Sequence, residues 1–172
     1  MIVYNQAFDL YHTIFRMLHF LNKFENGTAI ESERIRIWDF YFLFPGKVHD
    51  IRLKKNESDI RRLRKQYIKD SKNPYDQIQE DRKVFEKIKP YQLSALNCLA
   101  SYGIVDKFSL TQNQVRIVDK SILLSMVKNF QELTAKERNI IALMTSHFFK
   151  MSLFGADGLK DRTNLAESKY DA

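Results

Sequence analysis

Apolar residues recur at three- and four-residue steps along most of the chain, which predicts a mainly helical protein. The first such stretch spans residues 5–25 and is followed by Gly27, a residue that commonly ends helices. Thr28 and Glu31 have the spacing of a capping box, so we expect a second helix to begin there. Its apolar run, residues 35–44, is compatible with either a helix or a strand, and the pattern favours a helix.

The stretch 47–72 differs from its surroundings in charge. It contains ten basic and four acidic residues, so it holds +6 of the chain's net charge of +7. A narrow apolar stripe predicts an amphipathic surface helix within it. The stripe consists of Ile60, Leu63, Tyr67 and Ile68. Asn73 and Pro74 then predict a loop, which gives an N-terminal helical domain over residues 1–75.

The second domain is expected over residues 76–154. A helix over 76–87 is followed by another that begins at Pro90, where a missing amide hydrogen has no cost. Two short alternating runs, 108–110 and 115–118, then predict a β-hairpin. Two helices joined by a turn and followed by a hairpin are typical of a winged-helix unit.

Two further helices are predicted to begin near Asp119 and at the capping box of Thr134 and Glu137. The polar segment 155–172 is predicted to be a mobile tail. The sequence thus predicts a mainly α fold, a helical domain whose winged-helix-like second half contains a short β-hairpin.

Catalytic motifs are not found in the sequence. The five glycines are scattered, so no phosphate-binding loop is present, and the four histidines form no HExxH pair. The single cysteine, Cys98, cannot form a thiolate zinc site. Asp9, His12 and His19 could share one side of the first helix, but partly buried structural residues explain them better. The sequence predicts a protein that is not an enzyme and needs neither cofactor nor metal.

The basic segment is a candidate contact for DNA or for an acidic partner. Such contacts with phosphates are independent of sequence and weaken steeply with salt. The candidate residues are Lys54, Lys55, Arg61, Arg62, Arg64, Lys65 and Lys69. A solvated basic helix is the alternative interpretation. The predicted helix 90–102 contains neither lysine nor arginine, so it is poorly suited to reading bases.

Aromatic content suggests a protein interface as well. The chain contains 13 phenylalanines. A domain of this size has a limited core, so either all of these side chains are buried or some of them are exposed on the surface. An exposed aromatic patch commonly marks a protein–protein interface. The two interpretations, an all-core set and a surface for an obligate partner, remain open at this point.

Several features favour the cytoplasm as the location. No apolar run approaches the ~18 residues that a membrane span needs. The N-terminus has an early Asp9 and lacks a basic region, unlike a secretory signal. A lone cysteine suits a reducing compartment. We therefore expect a cytoplasmic protein without membrane contact.

Two segments resemble a known family. The run YNQAFDLYHTIFRML at residues 4–18, with the aromatic stretch that closes at Phe44 and Pro45, is similar to the opening of its members. The run KPYQLSALNCLASYGIVD at residues 89–106 is similar to their second-half helix and turn. The family consists of the middle components of bacterial ABC-three-component systems, best known from Lamassu-type anti-phage defence.

The resemblance implies a non-catalytic adaptor subunit bound to an SMC/Rad50-like ATPase. It further implies that the subunit helps couple DNA sensing to a separate effector subunit, often a nuclease, and that DNA is contacted directly or through the complex. The alternative is a stand-alone winged-helix transcriptional regulator. A regulator is expected to be a homodimer that binds DNA in a sequence-dependent way, whereas an adaptor binds DNA weakly or within its complex.

Overall fold

The computed structural model describes residues 5–69 and 81–167. Three of the sequence-based expectations lie outside these residues: the loop 71–75, the start of the second-half helix at 76–80, and the end of the tail at 168–172.

The described residues are mainly helical, with one small antiparallel sheet, so the predicted fold class is confirmed. In chain order, the α-helices and strands are α1 (Leu10–Leu21), β1 (Ala29–Glu31), α2 (Ser32–Leu43), α3 (Ser58–Tyr67), α4 (Asp81–Ser101), α5 (Lys107–Thr111), β2 (Gln114–Arg116), α6 (Lys120–Val127), α7 (Ala135–Leu143) and α8 (Leu159–Thr163). Short 3₁₀ helices form at Gln6–Phe8 and Pro45–Asp50, and a π-helical turn at Met144–Phe148.

The chain forms two compact units, each assembled from separate stretches of sequence. Unit 1 comprises residues 1–39 and 87–132, and unit 2 comprises residues 40–86 and 133–172. Each of the two sequence halves predicted above therefore contributes residues to both units.

The sheet of unit 1 joins segments that are distant in sequence. Strands β1 and β2 pair in antiparallel direction with Ile30 opposite Val115, and both side chains are fully buried. The expectation that Thr28 and Glu31 open the second helix is wrong, because this segment extends to pair with β2. Helix α2 begins at Ser32 instead and includes most of the run 35–44, which confirms the helical assignment.

Of the two runs predicted as hairpin strands, 115–118 overlaps β2, whereas 108–110 lies in α5. The second neighbour of the β2 segment is Val105, which forms an antiparallel bridge with Ile117. Helix α5 occupies the connection between these two segments. The order across the sheet is therefore β1, the β2 segment and then Val105.

Helix α4 is continuous through Pro90, so the expectation of two separate helices is wrong. A proline inside a helix removes one backbone hydrogen bond and costs roughly 3 kcal/mol. The helix nevertheless buries apolar side chains on both sides of the proline, Phe85 and Ile88 before it and Leu96 and Leu99 after it. Burial on that scale offsets the local cost.

A buried polar network connects three helices of unit 1. Asp39 in α2 accepts hydrogen bonds from Arg16 Nε in α1 at 2.5 Å and from Gln92 Nε2 in α4 at 2.9 Å. Gln92 Oε1 in turn accepts a hydrogen bond from Arg36 Nε at 3.0 Å. Asp39 and Gln92 are 0% exposed and Arg16 is 2% exposed. This network fixes how the apolar faces of α1, α2 and α4 meet.

In unit 2, the segment predicted as a mobile tail contains structure up to residue 167. Helix α8 forms there, and both Leu159 and Leu165 are buried. Ion pairs also hold it: Arg162 contacts Glu57, and Arg52 contacts Asp161. The sequence suggested a tail because the segment is polar, but its polar residues are the ones that bind it to the basic segment.

Candidate functional site

The basic segment belongs to unit 2. After the 3₁₀ helix Pro45–Asp50 it continues through an irregular stretch with a turn into α3, and α3 packs against both α7 and that 3₁₀ helix. The predicted surface helix within the segment is thus present. By sequence, unit 2 contains 18 basic and 13 acidic residues, a net charge of +5, whereas unit 1 has 10 and 8, a net charge of +2.

Four of the candidate contact residues are exposed and have no ion pair shorter than 3.9 Å within residues 5–69 and 81–167. These residues are Lys55, Arg62, Lys65 and Lys69. Arg62 and Lys65 are three residues apart on α3, so they lie on one side of that helix. Lys69 follows the end of α3, after Ile68 in extended backbone.

The other three candidates make local contacts. Lys54 forms an ion pair with Asp157 at 3.0 Å, and the ammonium group lowers the pKa of that carboxyl. Arg61 Nη2 donates a hydrogen bond to the Lys54 carbonyl at 3.0 Å. Arg64 is 9% exposed, and its guanidinium donates to the carbonyls of Val48 and Ile51. Arg64 therefore stabilises the fold of unit 2 from inside the segment.

A cavity of about 440 Å³ opens beside the start of α3 in unit 2. Lys54 and Ile60 line it on the side of the basic segment, and His147 and Lys150 line it on the side of the π-helical turn and the residues after it. The carboxylates of Glu57 and Asp157 also line it, and both already form ion pairs with lining cations. Lys54 and Arg162 are thus paired with carboxylates, and Lys150 is the lining cation without an ion pair in residues 5–69 and 81–167.

The ion pair between Arg162 and Glu57 predicts how stability depends on pH. Burial raises the pKa of Glu57. The hydrogen bonds that its carboxylate accepts from Arg162 and from the Lys54 amide lower the pKa by more, so it lies below the ordinary 4.5. The ion pair therefore stabilises the fold above pH 4.5 and is lost as the pH falls through the lowered value.

We expect the variant Glu57→Gln to lose stability less steeply than the wild type as the pH falls below 4.5. Urea unfolding at a series of pH values measures this. Glu132→Gln is the control, because Glu132 is exposed and has no ion pair within the described ranges. Parallel pH profiles for the wild type and Glu57→Gln would contradict the prediction.

Unit 1 exposes most of the large apolar side chains that are exposed in the described part of the chain. Ten large apolar side chains are exposed in the described part of the chain, and eight of them belong to unit 1. The most exposed is Phe108 in α5, at 72%, and Tyr102 at the end of α4 is 56% exposed. Val118 is 47% exposed and its amide donates to the Ile104 carbonyl, so it lies close to the turn after Tyr102. We call Tyr102, Phe108 and Val118 the wing patch.

The three residues considered as a catalytic site are used structurally. The Asp9 carboxylate caps α1 by accepting a hydrogen bond from the His12 amide at 2.8 Å. His19 is 8% exposed, and its ring packs edge-on against Phe15. Residues 5–69 and 81–167 contain no group of three or more histidine, cysteine, aspartate or glutamate side chains that could hold a metal ion.

Sequence reasoning did not identify the wing patch. Its residues lie within or beside the alternating runs that predicted a hairpin. One signal in the sequence was available: Asp106 stands three residues before Ser109, and its carboxylate accepts the Ser109 amide at 2.8 Å as the N-cap of α5. Such a cap indicates a helix, which turns Phe108 outward from the sheet.

None of the helices within the described ranges is both long and apolar enough to cross a bilayer. The described part of the chain is mainly helical, with exposed cations on the basic segment of unit 2 and exposed apolar side chains in unit 1. The family of ABC-three component (ABC-3C) system Middle Component 5 matches over residues 2–171, and the chain belongs to this family. Comparisons with curated proteins and with solved structures gave no match.

Proposed function

We propose that this middle component is a non-catalytic adaptor in a cytoplasmic anti-phage complex of the Lamassu type. It binds an SMC/Rad50-like ATPase subunit and helps couple DNA sensing to an effector subunit such as a nuclease. The observation that carries the proposal is the family match over nearly the whole chain, because a middle component functions beside other components of its system.

The topology of unit 1 supports a winged-helix arrangement. Its helices α1, α2 and the second part of α4 precede the β2 segment, and β1 falls between α1 and α2. The β2 segment lies between β1 and Val105, which is the strand order expected for a winged helix. In this interpretation α5 occupies the wing, and residues 40–86 are an insertion between the second and third helices.

The surface of this winged helix favours a protein partner. The third helix of such a unit reads DNA with basic or amide side chains. Here the part of α4 after Pro90 contains neither lysine nor arginine, and Asn97 is its one exposed amide side chain, because Gln92 is buried. The wing patch beside it is aromatic and aliphatic. Aromatic residues are enriched at the centres of protein interfaces. We therefore assign the ATPase contact to the wing patch.

DNA contact is assigned to the basic segment of unit 2. Arg62 and Lys65 are exposed on one side of α3, Lys69 is exposed after that helix, and Lys55 is exposed before it. These side chains suit phosphate contacts, which position a protein on DNA without reading its sequence. The stand-alone regulator remains the second candidate, because a winged helix is a common DNA-binding unit.

Changing Phe108 to serine is expected to weaken the complex with the ATPase subunit by about 30-fold or more, since a central aromatic residue of an interface contributes about 2 kcal/mol or more. The measurement is the affinity between the two purified subunits of one system. Phe154→Ser is the matched control, because Phe154 is also an exposed phenylalanine, at 47%, but belongs to unit 2.

Equal binding by the wild type and Phe108→Ser would exclude the wing patch as the contact. A chain that binds no ATPase, forms a homodimer and shifts DNA in a sequence-dependent way would instead support the regulator.

A further inference from the structure

Helices α3 and α7 of unit 2 pack together in antiparallel direction. Asn139 in the middle of α7 donates a hydrogen bond from Nδ2 to the Tyr67 carbonyl at the end of α3, at 3.2 Å. At the other end, Ile60 near the start of α3 lines the same cavity as His147 and Lys150, which follow α7. The basic segment therefore lies along a second helix that sequence analysis did not connect with it.

Helix α7 and the residues that follow it place one lysine at each end of the α3–α7 helix pair. Lys136 precedes Asn139 by three residues, so it lies on the side of α7 that contacts the end of α3. Lys150 lies at the opposite end and lines the cavity together with Lys54. Both lysines are exposed, and neither has an ion pair with a carboxylate of residues 5–69 and 81–167.

The carboxylates at the cavity are already paired with cations: Glu57 with Arg162, and Asp157 with Lys54. At the other end, the Glu137 carboxylate accepts a hydrogen bond from the Thr134 amide at 2.7 Å and closes the capping box of α7. Neither Lys150 nor Lys136 is therefore paired with the carboxylates that lie near it in residues 5–69 and 81–167.

We propose that α3 and α7, with the residues that follow α7, form one phosphate-binding face for double-stranded nucleic acid, in which Lys136 and Lys150 contact the backbone together with Arg62 and Lys65. The proposal rests on the DNA contact assigned above and adds a second helix to it. Helix α3 has ten residues and is about 15 Å long, which matches about four base pairs of a duplex.

A turn of π-helix supports a binding role for the cavity end of this face. The turn Met144–Phe148 interrupts the helical geometry after α7 and includes His147, which lines the cavity with Lys150. Such turns occur often at functional sites. The cavity lies where a phosphate in contact with Lys150 would also approach Lys54 and His147.

Salt-dependent binding of the full chain to a fluorescent DNA duplex of unrelated sequence tests the proposal. Each phosphate contact that is lost lowers the slope of log affinity against log salt by about 1. We expect Lys136→Ala and Lys150→Ala each to lower the slope by about that amount. The control, Lys107→Ala, removes an exposed lysine from unit 1 and should leave the slope unchanged.

The possible outcomes distinguish the two-helix face from the DNA contact that was assigned to the basic segment alone. If the wild type shows no affinity for the duplex even at low salt, the assigned DNA contact and the two-helix face are both wrong. If Arg62→Ala and Lys65→Ala lower the slope whereas Lys136→Ala and Lys150→Ala do not, the contact is confined to α3 and the two-helix face is wrong. Lys136→Gln and Lys150→Gln replace any alanine variant that unfolds.

Discussion

Replacing Asp39 with alanine is expected to lower the free energy of unfolding by about 3–5 kcal/mol. The variant leaves the guanidinium of Arg16 buried without its carboxylate, and it removes one of the two acceptors of the Gln92 side-chain amide. Asp39 is 0% exposed and Arg16 is 2% exposed, so water cannot replace the lost partner without opening the packing of the helices. A buried charge without a partner is among the costliest defects in a protein core.

Urea unfolding at neutral pH measures this loss, and two variants are its controls. Asp59→Ala removes the carboxylate of an exposed pair with Arg62, whose atoms are 3.9 Å apart, and should change stability little. The double variant Arg16→Met with Asp39→Leu removes both buried charges and should cost less than Asp39→Ala alone. A loss below about 1 kcal/mol for Asp39→Ala would contradict the role given to the network.

Reversing three charges on the basic segment, with Arg62→Glu, Lys65→Glu and Lys69→Glu, is expected to abolish the assigned DNA contact. Each change removes one cation and adds a repulsive anion, so the salt slope should fall by about 3 or more and the affinity by at least about 100-fold at low salt. The three side chains are exposed, so the fold should be retained. Titration of a labelled duplex between about 50 and 200 mM salt measures the effect.

The matched control reverses three exposed lysines of unit 1, Lys87, Lys107 and Lys128. Both triple variants change the net charge equally, so a general electrostatic effect would weaken binding equally in both. The account expects the unit 2 variant to lose far more affinity than the unit 1 variant. Equal losses would show that DNA binding reflects the overall charge of the chain.

Local patterns predicted most helices correctly because each helix buries an amphipathic face. The long-range pairing of β1 with β2 could not be read in this way: Ala29–Glu31 lies 85 residues from its partner, and its capping-box pattern is equally suited to a helix start. Pro90 led to the wrong prediction that a separate helix begins there. The proline is tolerated inside α4 because the helix buries apolar side chains both before and after it.

The candidate site was predicted in part. Composition located the basic segment, and the expectation of a surface helix within it agrees with α3. Composition could not show which of these cations are buried. The Arg64 guanidinium donates to two backbone carbonyls of the same unit, whereas Arg62 and Lys65 are exposed. Composition also could not indicate Lys136 or Lys150, because only packing of the helices brings residues so distant in sequence to α3.

Affinity purification of this chain from its native host at moderate salt, with mass spectrometry and determination of subunit ratios, tests the central claim most directly. The account predicts that a coiled-coil ATPase of the SMC/Rad50 class is recovered with the chain in a fixed ratio, and that Phe108→Ser abolishes its recovery. Recovery of the chain alone, as a homodimer with sequence-dependent affinity for DNA, would contradict the adaptor function and support the transcriptional regulator.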